Sequence, residues 1–258
     1  MGVSSQPRVV APAMPRFGQL RAGMVAVAMN WTNEGRSSPE NASDGMLGCP
    51  LDHIVYATPD TDAAVADLTE RTGLRPVAGG AHTDWGTRNC LVGLEGGAYL
   101  EIVGPDPQQK EPDGGRPFRV DELHAAGVVT WCVRTTAIDD TVSGARASGY
   151  DPGAVREMSR RTAQGSLLQW RLTDPRDAGS AGLVPFLIDW GGTQHPTTVL
   201  EPQAEVSELS LSTPDPHPTS RMLAALGISR QPRQGPHGIT VTLRMSTGQV
   251  VLTPAELR

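Results

Sequence analysis

Two residues of this chain are best suited to chemistry: His53, in the otherwise apolar run "LDHIVYA" (51–57), and Glu101, in "YLEIVG" (99–104). Strand alternation puts His53 on one face with Leu51 and Val55, and Glu101 on one face with Tyr99 and Val103, so both polar groups point where their neighbours are apolar. A carboxylate is costly to bury unpaired, so Glu101 calls for a cation, either a protein group or a metal ion. One imidazole and one carboxylate make half of a 2-His-1-carboxylate or 2-His-2-Glu set, which suits Fe(II), Mn(II), Ni(II) or Zn(II). The same two groups can instead form a hydrogen-bonded pair that supports a metal-free pocket.

Further donors lie in turn-rich segments. His82 sits in "GGAHTDWGTRN" and His195 in "WGGTQHP", and His195 is the preferred third ligand. Arg88 and Asn89 follow Gly86 at the start of a strand, and Arg160 follows Met158 and Ser159, so each can present donors to an anionic or oxygen-rich ligand. Their alternative is an ion pair with Glu101, Glu157 or Asp189. Trp170 and Trp190, in strand-like runs, are expected to form pocket wall or core. A GxSxG elbow, a P-loop, an HExxH motif and a dinucleotide fingerprint are all missing, so no nucleotide cofactor is expected.

The elements that must position these groups repeat along the chain, and repetition is sought before other features are interpreted. "LDHIVYATPD" (51–60) aligns without gaps on "VSELSLSTPD" (206–215), and "VVTWCVRTTAIDDTVSGARASGY" (128–150) forms a third copy between them. Each opening strand leads to a short helix that ends at a glycine, Gly73, Gly149 or Gly227, with Asp a plausible N-cap of the first and last. Further strand-like runs follow, "RNCLVGL" and "GAYLEIVG" in the first copy, "SLLQWRLT" and "GLVPFLIDW" in the second, "GITVTLRM" and "GQVVLTP" in the third. The unit is therefore strand, helix and three strands. In the second copy the positions matching His53 and Glu101 fall near Thr130 and Ile188, neither a strong ligand, and in the third Glu208 matches His53.

Composition sets the frame. With 258 residues and 38% hydrophobic content the chain can bury a sizeable core. A net charge of −6 argues against nucleic acid as a partner, which requires a basic face. Three widely spaced cysteines, Cys49, Cys90 and Cys132, suit a reducing compartment. No apolar stretch is long enough to span a membrane, and the protein is expected to be cytoplasmic. Residues 1–48 read as a disordered leader, with "MLGCPLDHIVYA" a natural beginning for the folded part; 49–196 hold two units and 197–258 the third.

A repeated βαβββ unit that opens with "LDH" resembles the vicinal oxygen chelate superfamily, and within it the glyoxalase-like domain family. The matching segments are "LDHIVYA" (51–57), "GTRN" (86–89), "YLEIVGPDP" (99–107), "MSRR" (158–161), "LLQWRLT" (167–173), "PFLIDWG" (185–191) and "HP" (195–196). The resemblance implies an α+β fold of glyoxalase/dioxygenase type, in which repeated βαβββ units form a cupped mixed β-sheet. It also implies a small-molecule ligand and a divalent metal, Fe, Mn, Ni or Zn, held by His53, Glu101 and His195. The function it implies is a lyase, isomerase or dioxygenase acting on a small oxygenated metabolite, with Glu101 moving the proton and Arg88, Asn89, Arg160, Trp170 and Trp190 contacting substrate. The alternative is a metal-free protein that sequesters or senses a small molecule. A third unit without a fourth to pair with either packs on the first two or finds its mate in a homodimer.

Overall fold

The structure, a computed structural model, describes Met1 and residues 50–83, 85–161, 167–176 and 181–257. The expected disorder of 1–48 therefore lies outside the described residues, as does Cys49. The first unit runs β1 (Leu51–Ala57), α1 (Thr61–Thr72), β2 (Val77–His82), β3 (Thr87–Leu94) and β4 (Ala98–Pro105). A 3-10 turn (Pro117–Glu122) and β5 (Leu123–Ala125) lead to the second: β6 (Gly127–Arg134), α2 (Ile138–Ala147), β7 (Val155–Arg161), β8 (Leu167–Thr173) and β9 (Phe186–Asp189). The third comprises β10 (Pro202–Thr213), α3 (Pro216–Ala225), β11 (Arg233–Gln234), β12 (Gly238–Met245) and β13 (Gly248–Leu252), and a final β14 (Glu256–Leu257) pairs with β5.

Local chemistry explains the helices. Asp60 caps α1 by accepting from the amides of Asp62 and Ala63, and Asp215 caps α3 by accepting from His217. Gly73, Gly149 and Gly227 follow the three helices with φ of 76°, 87° and 72°, the left-handed conformation that costs glycine nothing.

The first two units share one pairing scheme. In each, the first and last strands are parallel (β1 with β4, β6 with β9) and the middle strands lie outside them, while β1 and β6 join the units antiparallel. Their outer strands also meet: Arg160 on β7 donates to the Gly79 carbonyl on β2, which closes the sheet into a cup. The third unit keeps the order of elements but not the pairing. Its β10 pairs antiparallel with β12, β13 lies beyond, and β11 is cut to two residues between Pro232 and Pro236, which cannot donate to a ladder. The start of β10 runs parallel to the end of β3, where a Cβ on Gly93 would lie 2.5 Å from the Glu201 carbonyl oxygen. The third unit is thus joined to the sheet of the first.

Alternation divides the core in two. Ile54, Tyr56, Leu100 and Ile102 pack under the helices with Leu68, whereas Val55, Val103, Cys132, Phe186 and Ile188 pack inside the cup. One expectation fails here. Leu51 does not share the face of His53 but packs with the helix-side core, because the register of β1 against β6 shifts between Leu51 and His53. The extra residue in that bulge is Asp52.

Candidate functional site

The bulge brings the carboxylate of Asp52 beside the imidazole of its neighbour. His53 Nδ1–H donates to Asp52 Oδ1 at 2.7 Å. The other oxygen, Oδ2, accepts from Trp190 Nε1 and from His195 Nε2, each at 3.0 Å. Burial by itself would raise the Asp52 carboxyl, but the hydrogen bonds and charge of His195 and His53 outweigh it and hold Asp52 well below the usual carboxylate range. A fully buried, ionised carboxylate thus fixes which way His53 faces.

His53 then presents Nε2 to the interior of the cup, 3.7 Å from Glu101 Oε2, with its ring stacked on Tyr99 at 4.7 Å between centroids. From the end of β2, His82 brings its own Nε2 to 3.9 Å from Glu101 Oε1. Asn89 donates to that same Oε1 at 2.6 Å, and a Cβ on Gly79 would lie only 2.1 Å from Asn89 Oδ1. The absence of a side chain at Gly79 is therefore what lets the amide sit there. The other ring nitrogen of His82 lies 3.0 Å from Thr87 Oγ1. Burial, only partly offset by the negative charge of Glu101, pushes the His82 imidazole below its ordinary value. A neutral imidazole is the form that can ligate a metal.

The second unit closes the cup with Met158, Arg160, Trp170, Leu172, Phe186, Ile188 and Trp190. Phe118, held at φ 61° in the 3-10 turn, lies across the mouth at 6.2 Å from Phe186 and 6.3 Å from Trp85. Arg116 ties this turn to β3 by donating to the Gly86 carbonyl at 2.8 Å and to Asp121 at 2.6 Å. The cavity measures about 40 Å3.

Of the residues singled out in the sequence, His53, Asn89, Glu101, Arg160, Trp170 and Trp190 all line this cavity. Arg88 does not. Adjacent strand residues face opposite ways, so with Asn89 inside, Arg88 turns outward to Asp62 on α1 at 2.8 Å. His195 does not join His53 and Glu101 either: its Nε2–H is committed to Asp52 and its Nδ1 lies 2.7 Å from Thr197 Oγ1, so neither nitrogen is left for an ion in the cup. It buttresses Asp52 from behind. The sequence reading missed the role of Asp52 altogether, although the "D" of "LDH" was the available signal.

The donor types suit a divalent ion. His53 Nε2 and His82 Nε2 approach different oxygens of Glu101, however, at 3.7 and 3.9 Å, and the three ligand atoms do not all lie within 4.8 Å of one another, so the side chains must draw together to share an ion. Asp52 behind His53 is the outer carboxylate that commonly orients a ligating imidazole. Among the described residues the group of three whose ligand atoms do lie within 4.8 Å of one another is Asp52, His53 and Cys132. It suits an ion less well, because the Asp52 oxygens are already engaged and burial pushes the Cys132 thiol well up, keeping it neutral.

A sequence model of the glyoxalase-like domain family matches residues 51–227. No curated protein sequence matches the chain. Among solved structures, a hypothetical protein from Staphylococcus aureus aligns with a TM-score of 0.54 at 16% identity, over 80% of this chain and 88% of that one. Methylmalonyl-CoA epimerase from Mycobacterium tuberculosis aligns at 0.37 and 20% identity, over 58% and 91%. A methylmalonyl-CoA epimerase solved in complex with methylmalonyl-CoA and NH4+ aligns at 0.38 and 20% identity, over 57% and 99%. Among the described residues no helix is long and apolar enough to cross a membrane.

Proposed function

We propose that this chain, which belongs to the glyoxalase-like domain family, is a metal-dependent isomerase or lyase that moves a proton on a small oxygenated metabolite. The observation that supports this reading is the placement of His53 Nε2 and His82 Nε2 at 3.7 and 3.9 Å from the two oxygens of Glu101 inside the cup. His53, His82 and Glu101 would hold the ion. Bound there, a divalent ion supplies a Lewis acid that stabilises negative charge developing on substrate oxygen.

The protein's own groups do the rest. Asn89 fixes Oε1 of Glu101, so Oε2 is the oxygen that takes the proton from the carbon next to a carbonyl. The electron pair left behind moves into that carbonyl, giving an enolate. Returning the proton to the neighbouring carbon, or to the other face of the same one, completes an isomerisation, and loss of a β-leaving group instead completes an elimination. Tyr99, Phe118 and Trp170 exclude water while the enolate exists, and Trp190 holds its orientation through Asp52.

The test is solvent exchange. In D2O, wild-type protein loaded with a divalent ion is expected to speed deuterium incorporation next to the carbonyl of pyruvate or glycolaldehyde, read by proton NMR. Glu101→Gln should slow it on the order of a hundredfold or more. Equal rates for the two proteins count against Glu101 as the base.

A second reading has its own support. Among the described residues the second unit lines the cavity with no histidine or carboxylate and offers a buried cation, Arg160, instead. A metal-free small-molecule binder would be built that way.

A further inference from the structure

We propose that Arg160 is the anchor for a single negative charge on the ligand, so that the cup selects a small monocarboxylate over its neutral analogues. The proposal rests on the reading of the cup as a ligand pocket, but not on the presence of a metal.

Arg160 comes from β7 of the second unit and is only 6% exposed. Among the described residues its hydrogen bond is to the Gly79 carbonyl, and no carboxylate lies within 4.0 Å of it. Its neighbours on the same wall are Met158, Trp170, Leu172 and Ile188. Burial lowers the Arg160 guanidinium from its ordinary value, while Tyr99 and Glu101 favour its charged form from further away. A guanidinium stays charged in proteins, and a buried charge without a close partner is costly unless something pairs with it. The fork has five N–H donors and spends few of them on one backbone carbonyl, which leaves donors for a planar acceptor with two oxygens.

Size and charge narrow the ligand. The cavity is small, about 40 Å3, which suits a small ligand group beside Arg160. A single guanidinium matches the one charge and two oxygens of a carboxylate better than a phosphate, which carries up to two charges and three acceptor oxygens. A carboxylate on Arg160 would place the adjoining carbon and its oxygen toward Glu101, where the proposed proton transfer occurs. The competing role is purely structural: Arg160 as a strap that ties β7 to β2.

The two roles separate in a binding experiment on the full chain after treatment with a chelator. Trp170 and Trp190 line the cavity, so tryptophan fluorescence reports occupancy. Wild type is titrated with glycolate and with its neutral isostere glycolamide. The expected result is saturable binding of glycolate, at least tenfold tighter than glycolamide. Arg160→Met should lose that preference and bind glycolate at least tenfold more weakly, and Arg160→Lys, which keeps the charge but not the fork, should fall between them. Arg88→Gln, whose side chain turns outward to Asp62, should keep the glycolate preference. Absence of saturable glycolate binding in wild type, equal affinity for the two probes, or unchanged binding in a folded Arg160→Met protein would each overturn the proposal. Because the metal is stripped, failure of the metal reading leaves these results intact, and failure here leaves the deuterium experiment intact.

Discussion

From β1 to β4 the cup receives His53, His82, Trp85, Asn89, Leu91, Tyr99 and Glu101, whereas from β7 to β9 it receives Met158, Arg160, Trp170, Leu172, Phe186 and Ile188. The two walls share one strand pairing and face one cavity, yet the first carries two imidazoles beside a carboxylate held by Asn89, and the second is aromatic and aliphatic around a single cation. Backbone pairing needs only apolar alternation on the helix side, which both units keep. The cup side is free to differ, and it is there that the chemistry concentrates. Equal folds with unequal walls favour a substrate held between them, one end among the donors and the other against the tryptophans.

The largest expected disturbance comes from removing the group that organises the polar wall. Asp52→Ala leaves His53, His195 and the Trp190 indole without their buried acceptor and should cost about 3–5 kcal/mol, read as a fall in the urea midpoint. The corresponding deletion on the other wall, Trp170→Ala, creates a cavity but orphans no charge, so its loss should be accompanied by unchanged metal affinity.

Gly79→Ala comes next. A Cβ placed 2.1 Å from Asn89 Oδ1 must displace the amide, which should cost about 1–3 kcal/mol in stability. It should also loosen Glu101, so weaker metal binding is expected in a thermally folded protein; unchanged metal affinity would show that Asn89 does not position the carboxylate.

Acid should weaken the polar wall before the apolar one. His82 has its folded value lowered from 6.5, so between that value and 6.5 the unfolded chain binds more protons and stability falls as pH drops through this window. Asp52, lowered from 3.8, contributes stability that is complete above about 4 and is lost on further acidification. Urea midpoints measured from pH 8 to 3 should therefore decline in two stages, and His82→Gln should remove the first. The smallest effect is expected for Arg88→Gln, whose exposed ion pair with Asp62 is worth at most about 1 kcal/mol and whose loss should leave ligand and metal binding unchanged.

Much of this was legible in the sequence because it depends on periodicity and turn chemistry. The repeated strand and helix, the Asp60 and Asp215 caps, the three glycine stops and the inward faces of His53 and Glu101 all follow from short-range rules. What escaped depends on an exception to those rules. A one-residue bulge at Asp52 turned Leu51 away and supplied the carboxylate on which His53 and His195 both bond. His195, assigned to the ion, is consumed by that carboxylate, and His82 takes the place beside Glu101. Arg88 and Asn89 compete for one inward position, and alternation allows only one of them in. The third unit repeats the order of elements, but two prolines near β11 deny it the pairing of the others.

The claim that the polar wall is a metal centre is tested most directly by metal content per chain, measured by elemental analysis after reconstitution and gel filtration. Close to one equivalent of a divalent ion is expected in wild type, with its loss in His53→Ala and His82→Ala and its retention in Arg88→Gln. Absence of bound metal in wild type, or equal metal in wild type and His53→Ala, would contradict it and leave the cup as a metal-free pocket.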